Sequence, residues 1–155
     1  MVWLLAALLY IHILGAILWF GSSLTIHLFF MPNLLKLPFE AQHGWMLALR
    51  DNYSKIVGPV GGLTILFGIL RGAAAGVFGS LNTPYGITFV VAFVLAIPVI
   101  IVGARLVGPT AARMAAAGSG DEMVALVRRM TGYGRLEMGG MAVMLALMVA
   151  MHAGY

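Results

Sequence analysis

Four long apolar runs, divided by three connections of unequal polarity, set the pattern of the chain. The first run covers about residues 2–35, with Pro32 and Pro38 marking its exit. At roughly 20 residues per crossing it is long for one span, so it is expected to tilt or to reach into the inner headgroup region. Residues 39–53 are mixed and read as a short interfacial helix. The second run, 54–77, opens with Gly58, Pro59, Gly61 and Gly62, a composition suited to close helix packing or a kink. A neutral turn, Gly79-Ser80-Leu81-Asn82-Thr83-Pro84, leads into the third run, 85–107, where Pro98 is placed to bend the helix. Residues 110–135 form the most polar connection, and Ser119 followed by Asp121 and Glu122 reads as the start of a short helix there. The fourth run is 136–155. The pattern predicts one all-α domain over 1–155, an integral membrane four-helix bundle in up-down-up-down order.

The basic residues orient this bundle. Lys36, Arg50 and Lys55 lie around the first connection, and Arg105, Arg113, Arg128, Arg129 and Arg135 lie around the third. The second has only Arg71. The positive-inside rule puts connections one and three in the cytoplasm and both termini outside.

Composition narrows the function classes. The chain is 62% hydrophobic and 9% charged, with a mean hydropathy of +1.02, whereas a soluble domain is about 45–50% apolar and about 25% charged. That excludes an ordinary soluble enzyme, a nucleic-acid reader and a disordered tail. The net charge of +4 reflects topology and not an affinity for nucleic acid. The expected setting is the lipid bilayer of a bacterial or archaeal plasma membrane. With no cysteine, disulfides, thiolate metal sites and covalent c-type haem attachment are excluded. The first run lacks a basic n-region and is longer than a signal-peptide core, so it is expected to remain as a span. No nucleophile–base pair, carboxylate dyad or phosphate loop stands out, so any catalysis would come from a cofactor.

The candidate chemistry lies in polar residues within the apolar runs, which are functional hypotheses by default. His12, Ala16, Trp19, Ser23, His27 and Phe30 fall along one stripe of the first span. His12 and His27 lie roughly 22 Å apart along a helix axis, with azimuths about 60° apart. Two imidazoles at two membrane depths match the spacing of a two-haem membrane cytochrome b, and neutral imidazole is a good axial ligand. The plainer readings are a buried His12 donating to a backbone carbonyl and a His27 anchored at the inner interface. Span four carries Met141, Met144, Met148, Met151 and His152 on one arc, with Met138 slightly off it. Thioethers suit Cu(I) or a haem face, and they also fill core space. His12 matches Met148 or Met144 in depth better than it matches His152. Arg71 can snorkel to headgroups, the favoured reading, or pair with an anion such as a haem propionate. Glu137 is expected to pair with Arg105 or Arg135. His43 is expected as a solvated loop residue, within reach of His27.

Several segments together resemble the copper resistance protein D membrane domain across most of the chain. They are His12, Trp19 and Gly21 in a His-x6-Trp-x-Gly pattern, Asn52-Tyr53-Ser54 with Gly68 further on, Thr83-Pro84-Tyr85-Gly86, and Arg135 with Glu137. The His-x6-Trp-Phe-x-Gly start is also similar to the four-helix membrane protoporphyrinogen oxidase family, whose first-helix histidine is implicated in binding haem b. The resemblance implies that role for His12. That family also uses a lysine in the third span, where this chain has Ala92, so haem binding is implied here without the porphyrin-oxidising activity.

Three functional readings stand. The leading one is a b-type haem protein that transfers electrons with quinone or a partner redox protein. His12 is then one axial ligand, the Met141–Met148 face or another histidine lies opposite, and His27 serves a second haem. The next is copper handling along the methionine stripe and His152. The last is a structural subunit of a larger membrane complex. A homo-oligomer is compatible with each of them.

Overall fold

The computed structural model describes residues 1–154, and the side chains of all of these except Asp51, Asn52 and Ser54. The Asn52 and Ser54 side chains of the expected span-two opening, and Tyr155 at the expected end of span four, lie outside the described residues. The described chain is all-helical, without strands. Its four long helices are α1 (Val2–Leu34), α2 (Phe39–Ala74), α3 (Pro84–Met114) and α4 (Gly120–His152). Each contains a stretch long and apolar enough to cross a membrane: Val2–Leu34, Lys55–Ala74, Pro84–Met114 and Gly120–His152. Exposed apolar side chains such as Ile17, Phe29, Ile56, Val143 and Val149 cover the outside, a surface suited to lipid and to an integral membrane protein.

Two expected boundaries shift. The interfacial segment 39–53 is continuous with span two in a single helix of 36 residues that runs through Pro59. Span four does not begin at Leu136. Its helix starts at Gly120, where the Ser119 hydroxyl accepts from the Glu122 N–H and the Glu122 carboxylate accepts from the Gly118 N–H, closing a capping arrangement. The polar residues of this segment occupy one side only. Arg128, Arg129 and Arg135 are exposed, while Met123, Leu126, Val127 and Met130 are buried. An amphipathic helix is thus continuous where averaged polarity suggests a loop.

Both α1 and α3 widen from α- to π-helical geometry before their C-terminal ends, over Thr25–Phe30 and Gly103–Val107. The Met31 N–H donates to the Ile26 carbonyl, and the Gly108 N–H to the Gly103 carbonyl, five residues back in each case. A proline follows at once, Pro32 and Pro109. Proline has no N–H to give and its ring collides with the carbonyl four residues back, and one extra residue in the turn relieves both problems. Pro32 therefore sits inside the last turn of α1, and only Pro38, which precedes α2, lies in the connection.

Packing is tightest between α1 and α2 and between α3 and α4. Along α1, Gly15 and Trp19 meet Thr64 and Gly61 of α2 in turn, and a Cβ on Gly61 would come within 3.0 Å of the Trp19 ring. Gly140 of α4 receives Val99 of α3. The main buried core gathers at one end of the bundle, around Met31, Leu34, Met46, Met114, Met123 and Met130. A smaller core of Ala96, Val99, Met141 and Met144 lies against Trp19 and Phe20. The Thr-Pro-Tyr-Gly element has a local cause. The Thr83 hydroxyl caps α3 by accepting from the Gly86 N–H at 3.1 Å, and Gly86 lies so close to Leu81 that a Cβ would reach 2.6 Å from its Cα.

Candidate functional site

Two polar centres lie in the apolar spans, and the two histidines of α1 head them separately. His12 turns toward α2. Its Nδ1 lies 2.7 Å from the Thr64 carbonyl. A carbonyl only accepts, so Nδ1 carries a proton, and in the neutral ring Nε2 keeps its lone pair. Gly68 makes room for the ring, since a Cβ there would stand 2.7 Å from Cε1. The Thr64 hydroxyl is engaged within its own helix by the Val60 carbonyl, leaving its backbone oxygen for the imidazole. Arg71 lies one turn beyond Gly68. Its Nε and Nη1 are buried with no hydrogen-bond partner among the described residues, so these two nitrogens are turned inward.

His27 turns toward α4. It is 3% exposed, and its ring lies flush against Gly134, where a Cβ would overlap it. Its Nε2 is 3.8 Å from Glu137 Oε2, too far for a hydrogen bond, and both ring nitrogens are buried without a partner. Glu137 is itself 3% exposed. The Ser23 hydroxyl donates to its Oε2 at 3.2 Å, and a Cβ on Gly103 would come within 2.9 Å of its Oε1. The expected pairing of Glu137 with Arg105 or Arg135 is replaced by this contact with α1, since both arginines are exposed and Glu137 faces inward. The two π-helical segments flank the site: His27 lies within one and Gly103 opens the other. Such widenings are frequent at functional sites.

Beside this pair is a cavity of about 380 Å³, lined by His27, Glu137, Tyr53, Arg50 and Trp19 among apolar side chains. Tyr53 lies just ahead of the apolar segment Lys55–Ala74. Burial raises its phenol well above the ordinary value of 10.0, and the Glu137 carboxylate adds to the effect.

The remaining candidates are dispersed. Met141 and Met144 are buried in the smaller core, Met148 and Met151 are half-buried, and His152 is exposed at the end of α4. His43 is on α2 and not in a loop. Its Nε2 meets the Ala115 carbonyl at 2.9 Å, and its ring stacks on Phe39. Among the described residues no three His, Asp or Glu side chains gather as a metal cluster. The sequence reading missed the Ser23–Glu137–His27 centre. Its available signals were a glutamate in an apolar run and prolines at positions 32 and 109. Comparison with protein-family models, curated proteins and solved structures gave no match in any of the three.

Proposed function

We propose that this integral membrane protein binds haem b through His12 and acts in electron transfer, exchanging electrons with quinone or a partner redox protein. The observation that carries the reading is the state of the His12 ring. A ligating histidine commonly donates its other N–H to a backbone carbonyl, which fixes the tautomer and aims the free nitrogen at the metal. His12 does this to Thr64. A nearby orphaned guanidinium is the second feature that fits the group. The inward nitrogens of Arg71 would pair with a propionate, and Gly68 keeps the ring in place. When bound, haem supplies one-electron transfer, and the protein's part is ligation, orientation and exclusion of water.

Register sets Met148 at the depth of His12. Contacts between α1 and α4 run in opposite order, Ser23 with Glu137 and His27 with Gly134. Eleven residues separate Ser23 from His12, and eleven separate Glu137 from Met148. Equal rise along both helices brings Met148 level with His12. His27 is enclosed by Gly134 and Glu137, so this reading uses one haem. The charge pattern places the basic ends in the cytoplasm in an up-down-up-down bundle, with both termini outside.

Visible spectra of protein from haem-replete membranes, oxidised and dithionite-reduced, test the reading. A Soret band that sharpens on reduction, with α and β bands, is expected, and His12→Ala is expected to lose it. A blank spectrum overturns haem binding. Metal analysis of that sample would then show whether copper takes its place.

A further inference from the structure

The cavity at His27 is a different place from the His12 centre, and its chemistry points to a ligand. A buried ring nitrogen without a partner is rare in folded proteins. His27 has two, and it lines a cavity large enough for a small molecule. Glu137 lines the same space and, among the described residues, has a hydrogen bond only from Ser23. The centre therefore offers, side by side, an imidazole able to give or accept a proton and a carboxyl able to do the same. Tyr53 adds a hydroxyl, and Arg50 lines the same cavity. The other walls are apolar, so a hydrated ion or a sugar would leave most of its polar groups unmet.

A second feature lies beside the cavity on the outer face of α1. A groove of about 390 Å³ runs along α1 past Ile17, Leu18 and Thr25 and shares Ile26 and Tyr53 with the cavity. Ile17 and Leu18 are exposed, which in a spanning helix means exposed to lipid. The groove can therefore be reached by a molecule dissolved in the bilayer, and it adjoins the cavity at Ile26 and Tyr53.

The geometry points to a quinone: its ring held in the His27–Glu137–Tyr53 cavity and its isoprenoid tail lying in the groove beside Ile17 and Leu18. The ring carbonyls are acceptors for His27 N–H and Tyr53 O–H, and the quinol hydroxyls are donors to Glu137. The apolar ring matches the Trp19 wall. This inference rests on the electron-transfer reading only for its choice of quinone among lipid-soluble rings. The site itself needs no haem.

The test uses Trp19 as the reporter. Trp3 and Trp45 are exposed, so Trp3→Phe and Trp45→Phe leave Trp19 as the sole indole of the full chain. Titration with a short-chain ubiquinone analogue in detergent is expected to quench it saturably. Gly62 lines the cavity, and a Cβ added there would meet nothing within 4 Å, so Gly62→Leu places a bulky side chain at the cavity wall without a clash at Cβ. It is expected to weaken binding about tenfold or more. In the same titration with the reduced analogue, the near-isosteric Glu137→Gln, which replaces the carboxyl acceptor by an amide oxygen and adds an NH₂ donor facing the quinol hydroxyl, is expected to weaken binding severalfold, with helical circular dichroism unchanged. Quenching that does not saturate, or that Gly62→Leu and Glu137→Gln both leave unaltered, overturns the proposal. So does equal quenching protection by a fatty alcohol that carries only a tail. His12→Ala separates the two readings: quenching kept with haem lost leaves the quinone site standing, and haem kept without saturable quenching leaves only the haem.

Discussion

Glu137 Oε2 and His27 Nε2 stand 3.8 Å apart in the apolar part of the bundle, each side chain almost wholly buried and neither hydrogen-bonded to the other. Desolvating an imidazole without giving it a partner costs about 1–3 kcal/mol. A position that only served stability would carry an apolar side chain. His27→Leu is therefore expected to raise the thermal midpoint of the ligand-free protein in detergent. Gly134→Ala is expected to lower it, by about 1–3 kcal/mol in stability, because its methyl enters the space of the ring. A fall in midpoint for His27→Leu would show that the ring is satisfied in the free protein.

The His12 centre makes a sharper demand on one glycine. Gly68→Ala puts a methyl 2.7 Å from Cε1, and the ring must leave the Thr64 carbonyl to avoid it. Loss of a hydrogen-bond partner behind a metal-binding histidine costs about 10–100-fold in affinity, so haem content per protein is expected to fall severalfold or more. Gly139→Ala on α4 meets nothing within 4 Å and is expected to leave haem content unchanged. Equal haem in both variants would remove His12 as a ligand held by Thr64.

Tyr53 gives a dependence on pH. Its raised value means that the folded protein keeps the phenolic proton where the unfolded chain has released it. Stability contributed by that group is complete below the ordinary value of 10.0 and declines as pH climbs above it. Of the five tyrosines, Tyr53 is expected to ionise late in an ultraviolet titration, and Tyr53→Phe is expected to remove the late step and flatten the alkaline loss of stability. A late step that survives in Tyr53→Phe would contradict this.

The spans were legible in the sequence because apolar length alone sets them. The N-terminal halves of α2 and α4 were not. Residues 39–53 and 120–135 alternate buried Met46, Met123 and Met130 with exposed charges, and a segment polar on one side averages to a loop. The same cause hid the main core. The methionine arc of α4 drew attention, while the most deeply buried methionines are Met31, Met46, Met114, Met123 and Met130, most of them in or beside segments read as connections. Helical periodicity put His12 and His27 on one stripe. The structure turns them toward different neighbours, α2 and α4. Periodicity along one helix carries no information on which helix lies opposite, and the meeting of Ser23 with Glu137, 114 residues apart, leaves no local trace. Gly68 was noted only as part of a family pattern, and the structure gives it a physical reason in the His12 ring.

The widened turn at Thr25–Phe30 amounts to one residue taken in as though by insertion, and its effect is felt far from Pro32. Counted from the C-terminal end of α1, each residue before Thr25 is turned by about 100° from where an unbroken α-helix would set it. A single-residue deletion in that turn would rotate Gly15 and Trp19 off Thr64 and Gly61 together, and His12 off Gly68 with them. The proline at one end of the helix thus sets the azimuth of the histidine near the other, and the two polar centres share a gauge although they share no contact.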